Sequence, residues 1–78
     1  MADVHEKRVA AVVALLVAAR EKAGVSQAGL SRKCGLSRSG LSHIENGRAQ
    51  PTLLSLSKIA EALEIELAPI LEGVAEDQ

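Results

Sequence analysis

Between residues 26 and 47 the chain is punctuated twice in the same way. Ser26 stands before Q-A-G-L-S-R-K-C and Gly35 follows it; Ser37 stands before R-S-G-L-S-H-I-E-N and Gly47 follows it. A serine ahead of a helix accepts a hydrogen bond from one of its unpaired first-turn N–H groups. A glycine just past the end adopts the left-handed conformation that closes the last turn. Leu30 and Cys34 lie four residues apart, and Leu41 and Ile44 three apart, so each segment has one apolar helical face. Two short helices are therefore expected, over 27–34 and from 38 to about 46, joined by a tight corner at 34–37. That arrangement is the local signature of a helix-turn-helix.

The flanks read as helices too. Residues 9–19, V-A-A-V-V-A-L-L-V-A-A, put Val9, Val12, Val13, Leu16, Ala19 and Ala23 on one side of a first helix and Ala10, Ala11, Ala14 and Ala18 on the other. Leu15 and Val17 flank the apolar stripe, and Gly24 ends the helix. Residues 1–8 read as a lead-in, in which Asp3 and Glu6 have the spacing of a capping box. R-A-Q-P-T is a loop with Pro51 as breaker and Thr52 as the next cap. Leu53, Leu56, Ile59, Ala60 and Leu63 form the face of a fourth helix. A fifth over about 67–72 tolerates Pro69 in its first turn, and 73–78 read as a frayed acidic tail. The expectation is a single all-α domain over 1–78, with five helices and the helix-turn-helix at 27–46.

Composition bears on three points. The chain of 78 residues has no Phe, Trp or Tyr, so its core is aliphatic. A chain this short buries only roughly 60–65 % of its surface, and a partner subunit would add stability. One cysteine, Cys34, cannot form an internal disulfide and is expected to be a small core residue, and two histidines without ligand spacing argue against a metal centre. The apolar run at 9–19 falls short of the roughly 18 residues that a membrane span needs. Asp3 and Glu6 make the segment before it mixed in sign, unlike a signal peptide, so a cytoplasmic location is expected. No paired-carboxylate, Ser/His/Asp or phosphate-loop constellation suggests an enzyme.

The net charge of −1 conceals a separation. Between residues 24 and 51, Arg32, Lys33, Arg38 and Arg48 stand against Glu45 alone. After residue 51, Lys58 stands against Glu61, Glu64, Glu66, Glu72, Glu76 and Asp77. A basic middle followed by an acidic end fits contact with a polyanion through the middle.

The third helix sharpens this. With Arg38 at the origin and about 100° per residue, Ser42, Asn46, Ser39 and His43 complete one continuous polar arc of about 140°, with Gly40, Ile44 and Leu41 opposite. Glu45 falls between the core edge and the arc. An ordinary solvated face would favour Glu, Lys and Gln; this one holds short hydrogen-bonding side chains, an Arg and a His, and no carboxylate. Short side chains permit close approach to a groove, and Arg can bond guanine O6 and N7 together. Gly40, on the protein side of the wheel, is expected to pack against the second helix.

Residues 16 to 71 resemble the Cro and phage-repressor family of helix-turn-helix DNA-binding domains, often called the Xre family. The resemblance rests on S-Q-A-G-L-S-R-K-C-G, L-S-R-S-G-L-S-H-I-E-N-G and R-A-Q-P-T-L, with K-I-A-E-A-L in register behind them. It implies a compact lambda-repressor-like fold and a bacterial or phage regulator of transcription, of repressor or controller type. Such a regulator binds double-stranded DNA in the major groove as a homodimer on a near-palindromic operator, with no cofactor and no evident small-molecule ligand. It implies base reading by Arg38, Ser39 and His43, with Ser42 on bases or backbone. Gln27, Asn46, Arg48 and Gln50 would contact phosphates, the loop partly through main-chain N–H groups, and Arg20 and Glu45 would pair across the first and third helices. Glu45, alone among basic residues at the core edge, needs such a partner. The sequence departs from the family at Ser31, where alanine is usual and whose hydroxyl needs a local backbone partner. It departs also at Gly29, in place of a helix former, and at Glu64 and Glu66, where a terminating glycine and a serine cap are usual.

Leu54, Leu67, Ile70, Leu71 and Val74 exceed what a small core needs and are assigned to a two-fold dimer through the fourth and fifth helices; Leu54 follows core Leu53 and should point elsewhere. The alanine-rich back of the first helix is a second possible contact surface. The competing reading is an antitoxin-type interaction module, which would form a stoichiometric complex with a toxin protein and bind DNA weakly alone.

Overall fold

The computed structural model describes residues 3–76. Over them run five helices: α1 Val4–Lys22, α2 Gln27–Cys34, α3 Arg38–Glu45, α4 Leu53–Ala62 and α5 Leu67–Glu76, with no strand among the described residues. α1 packs on α5 and α3, α2 on α3 and α4, and α4 on α5. The two helices of the central corner each send one leucine into the middle, Leu30 and Leu41, both wholly buried. Val12, Val13 and Leu16 of α1 and Leu56 and Ile59 of α4 close around them, with Cys34 in the same aliphatic core.

Local chemistry sets the helix starts. The Oγ of Ser26 accepts from the Gly29 N–H and that of Ser37 from the Gly40 N–H, each at 3.0 Å. Thr52 and Ser55 form a reciprocal box: the Ser55 N–H donates to Thr52 Oγ1 at 3.0 Å and the Thr52 N–H to Ser55 Oγ at 2.9 Å. Asp3 Oδ1 accepts from the Glu6 N–H at 2.8 Å. This cap starts α1 at Val4, so the expected lead-in over residues 1–8 is helical from its fourth residue.

The end of α5 and the start of α4 differ from expectation. α5 continues to Glu76 instead of ending near residue 72, because Val74 is 6 % exposed and its burial in the core ties down the last turns. The expected frayed tail is thus helical over 73–76, and residues 77–78 lie outside the described residues. Burial also removes Val74 from the surface a partner could touch. Leu53, expected in the core, is 67 % exposed. A helical wheel gives angle and not depth: Leu53 is the first residue of α4, and the buried residues of that helix begin at Ser55.

The end of α4 stores strain. Glu64 has φ 59°, the left-handed conformation that Gly24 and Gly47 supply after α1 and α3. The closure is the same: the Ile65 N–H donates to the Ala60 carbonyl and the Glu64 N–H to the Glu61 carbonyl, each at 3.0 Å. A side chain in this region costs about 1–2 kcal/mol, and glycine's extra freedom in the unfolded chain offsets part of any gain. Glu64→Gly is therefore expected to stabilise the fold by about 0.5–1 kcal/mol. Urea unfolding checks this: the midpoint should rise with an unchanged slope.

Candidate nucleic-acid interface

α3 rests on the core through Leu41 and turns its polar arc outward. Arg38, Ser39 and His43 are exposed, and Ser42 is half-buried beside Leu41. Asn46, Arg48 and Gln50 follow on the loop to α4, all exposed. That loop folds back on the end of α3: the His43 carbonyl accepts from the Arg48 N–H at 2.8 Å and the Ala49 N–H at 3.1 Å, and Asn46 Oδ1 also accepts from the Arg48 N–H at 3.2 Å. Those two main-chain donors are taken within the protein, which leaves the exposed Arg48 side chain as the outward donor there.

At the α2–α3 corner the Ser31 hydroxyl has the local backbone partner expected for it. Ser31 Oγ donates to the Leu36 carbonyl at 2.6 Å, tying the end of α2 to the turn. Gly40 does not pack on α2. A methyl group there would lie 2.9 Å from Ser37 Oγ and near nothing else within 4 Å, so the glycine makes room for the cap of its own helix. Gly29 stands in the same place on α2, with Ser26 Oγ 3.2 Å from such a methyl.

Behind the arc lies a charged network. Arg20 holds Glu45 with two hydrogen bonds, Nε to Oε2 at 2.8 Å and Nη2 to Oε1 at 2.9 Å, while Nη1 donates to the Val25 carbonyl at 2.8 Å. Gln27 Nε2 donates to Glu45 Oε1 at 2.9 Å. Side-chain exposure of the pair is 12 % and 10 %. The hydrogen bond to Glu45 raises the Arg20 pKa above its ordinary value; burial opposes the rise and the charges of Glu45 and Glu21 add to it. A cation whose pKa is raised by folding contributes stability below its unfolded pKa and loses it as pH rises through the folded one. Both values lie above the working range, so the Arg20 contribution is constant there.

This network joins the end of α1, the loop after it, the first residue of α2 and the last of α3. It neutralises the single carboxylate of the basic segment. The Gln27 amide has two hydrogens, of which Glu45 takes one, leaving the other for an outward acceptor. The Gln27–Glu45 bond has no local sequence signal: the residues belong to different helices, 18 apart in the chain.

Among the described residues no group of His, Cys, Asp or Glu is placed to hold a metal ion, and no helix is long and apolar enough to cross a membrane.

A family model described as helix-turn-helix matches residues 16–70. Over 52 residues the chain is 46 % identical to a protein of Sinorhizobium fredii (strain NBRC 101917 / NGR234) described as an uncharacterized HTH-type transcriptional regulator, y4dL. The match covers 67 % of this chain and 26 % of that relative, so the chain spans about a quarter of its length. No solved structure matches. With a five-helix all-α fold, its central corner over α2 and α3, and a family match over most of its length, the chain belongs to the Xre/Cro-type helix-turn-helix family.

Proposed function

We propose that the protein is a sequence-specific regulator of transcription that binds double-stranded DNA as a homodimer in the cytoplasm. Each subunit lays α3 in the major groove of one half-site. The observation that carries this is the carboxylate-free outer arc of α3, backed by a Glu45 that Arg20 neutralises. An anionic helix face would be repelled by phosphates; this one offers Arg38, Ser39 and His43 to base edges and Ser42 to bases or backbone. Gln27, Asn46, Arg48 and Gln50 flank it as phosphate contacts that fix register. The acidic second half of α4 and α5 then faces away from the DNA.

A subunit of 33 × 24 × 21 Å suits a pair seated side by side on half-sites about 34 Å apart. Exposed leucines on α4 and α5 support dimerisation and offer two candidate contact surfaces. Leu54 is 65 % exposed and Leu71 36 %, whereas Leu67 and Ile70 are half-buried against the core. Regulation follows from occupancy of the operator. In vitro selection from a random duplex library tests the reading: a near-palindromic site with half-sites one helical turn apart is expected. Recovery of no common site would contradict it.

A further inference from the structure

Beside the loop that carries Asn46, Arg48 and Gln50 lies a groove of about 390 Å³. One wall is the first half of α1, with Glu6, Ala10 and Ala14; the other is the end of α3 and its loop, with Asn46, Gly47 and Pro51. The groove exists because alanines stand where longer side chains would fill it. The α1 wall lies before residue 16, where the family match begins, and the loop wall lies within it.

Two residues past Pro51 the surface turns from hollow to knob. Leu53 and Leu54, 67 % and 65 % exposed, open α4 side by side. Lys58 follows Leu54 by four residues and so lies on the same helix face; Glu61 shares that arc but stands about 10 Å further along the axis. An apolar groove rimmed by exposed Glu6 and an apolar knob rimmed by exposed Lys58 are complementary in shape and in charge. Leu53 follows the groove residue Pro51 by two in the chain, so one face can present both halves, as a two-fold contact requires.

We infer that Leu53 and Leu54 of one subunit dock in the α1–loop groove of a second copy, and reciprocally, with Glu6 facing Lys58 of the partner subunit. This rests on the homodimer of the proposed function and names its contact. One wall of the groove is the Asn46–Pro51 loop, so the second copy braces the segment offered to phosphates, and dimer formation and DNA affinity rise together.

Sedimentation without DNA, joined to thiol cross-linking, tests this. Because Leu53 and Leu54 are exposed, the variant Leu53→Ser/Leu54→Ser should fold normally by circular dichroism while its dimer dissociation constant rises at least about 30-fold. Leu71→Glu should leave the dimer intact. Mixed Ala14→Cys and Leu54→Cys chains should cross-link to each other under mild oxidation, since native Cys34 is buried. A dimer that survives the serine pair but is lost with Leu71→Glu overturns the contact and leaves the homodimer standing, as does a mixture that fails to cross-link while sedimenting as a dimer. A chain that stays monomeric at millimolar concentration overturns both, and DNA selection is read separately.

Discussion

Arg20→Ala should lower the unfolding free energy by about 3 kcal/mol, the lower end of the range for breaking a buried pair, because both partners keep about a tenth of their surface in water. For a domain of this size that is a fall in Tm of roughly 15 °C. Three bonds disappear at once, two to Glu45 and one to the Val25 carbonyl. Glu45 is then left with Gln27 as its partner, beside a basic surface. Arg20→Lys should recover only part of the loss, since an ammonium cannot reproduce the two-pronged grip. Replacing both partners with methionine should come close to the parent, because the penalty lies mostly in the abandoned charge. Thermal and urea unfolding of the four proteins read these values directly; equal stability of Arg20→Ala and the parent would show that the network does not hold α1 to α3.

The second large effect separates reading from gripping. Arg38→Ala should weaken binding to the selected operator by about 1–3 kcal/mol per half-site and relax preference at one or two base positions, with little change on a scrambled duplex. Arg48→Ala should weaken operator and scrambled duplex alike, and reduce the dependence of log K on log salt by about one unit for each phosphate that is no longer neutralised. Both side chains are exposed, so neither variant should change stability by more than about 0.5 kcal/mol. Titration of each variant against both duplexes at several salt concentrations distinguishes the two roles. If Arg38→Ala weakens both duplexes equally, α3 does not read bases through that residue.

What the sequence makes legible depends on how far apart the cooperating atoms lie. The starts of α2, α3 and α4 are legible because a cap and its N–H partner are three residues apart. The polar arc of α3 is legible because a helix of known pitch fixes the angle of every side chain. Leu53 and Val74 exchange roles because angle says nothing of depth: one opens α4 ahead of its buried residues and the other lies on a helix longer than its apolar pattern suggests. Gly40 departs from expectation for a related reason. The wheel points it toward the protein, but the atom it must clear belongs to Ser37, three residues back. The Gln27–Glu45 bond and the groove between α1 and the loop after α3 join residues far apart in the chain. No local pattern reports them.

Sequence reading by the carboxylate-free arc of α3 is the core of the proposed function. It is tested most directly by the ratio of affinities for the selected operator and a scrambled duplex of equal length and composition, at one fixed salt concentration. Sequence reading predicts a ratio of at least about 1000. A ratio near one would mean that the basic surface binds phosphates without reading bases, and would contradict the account.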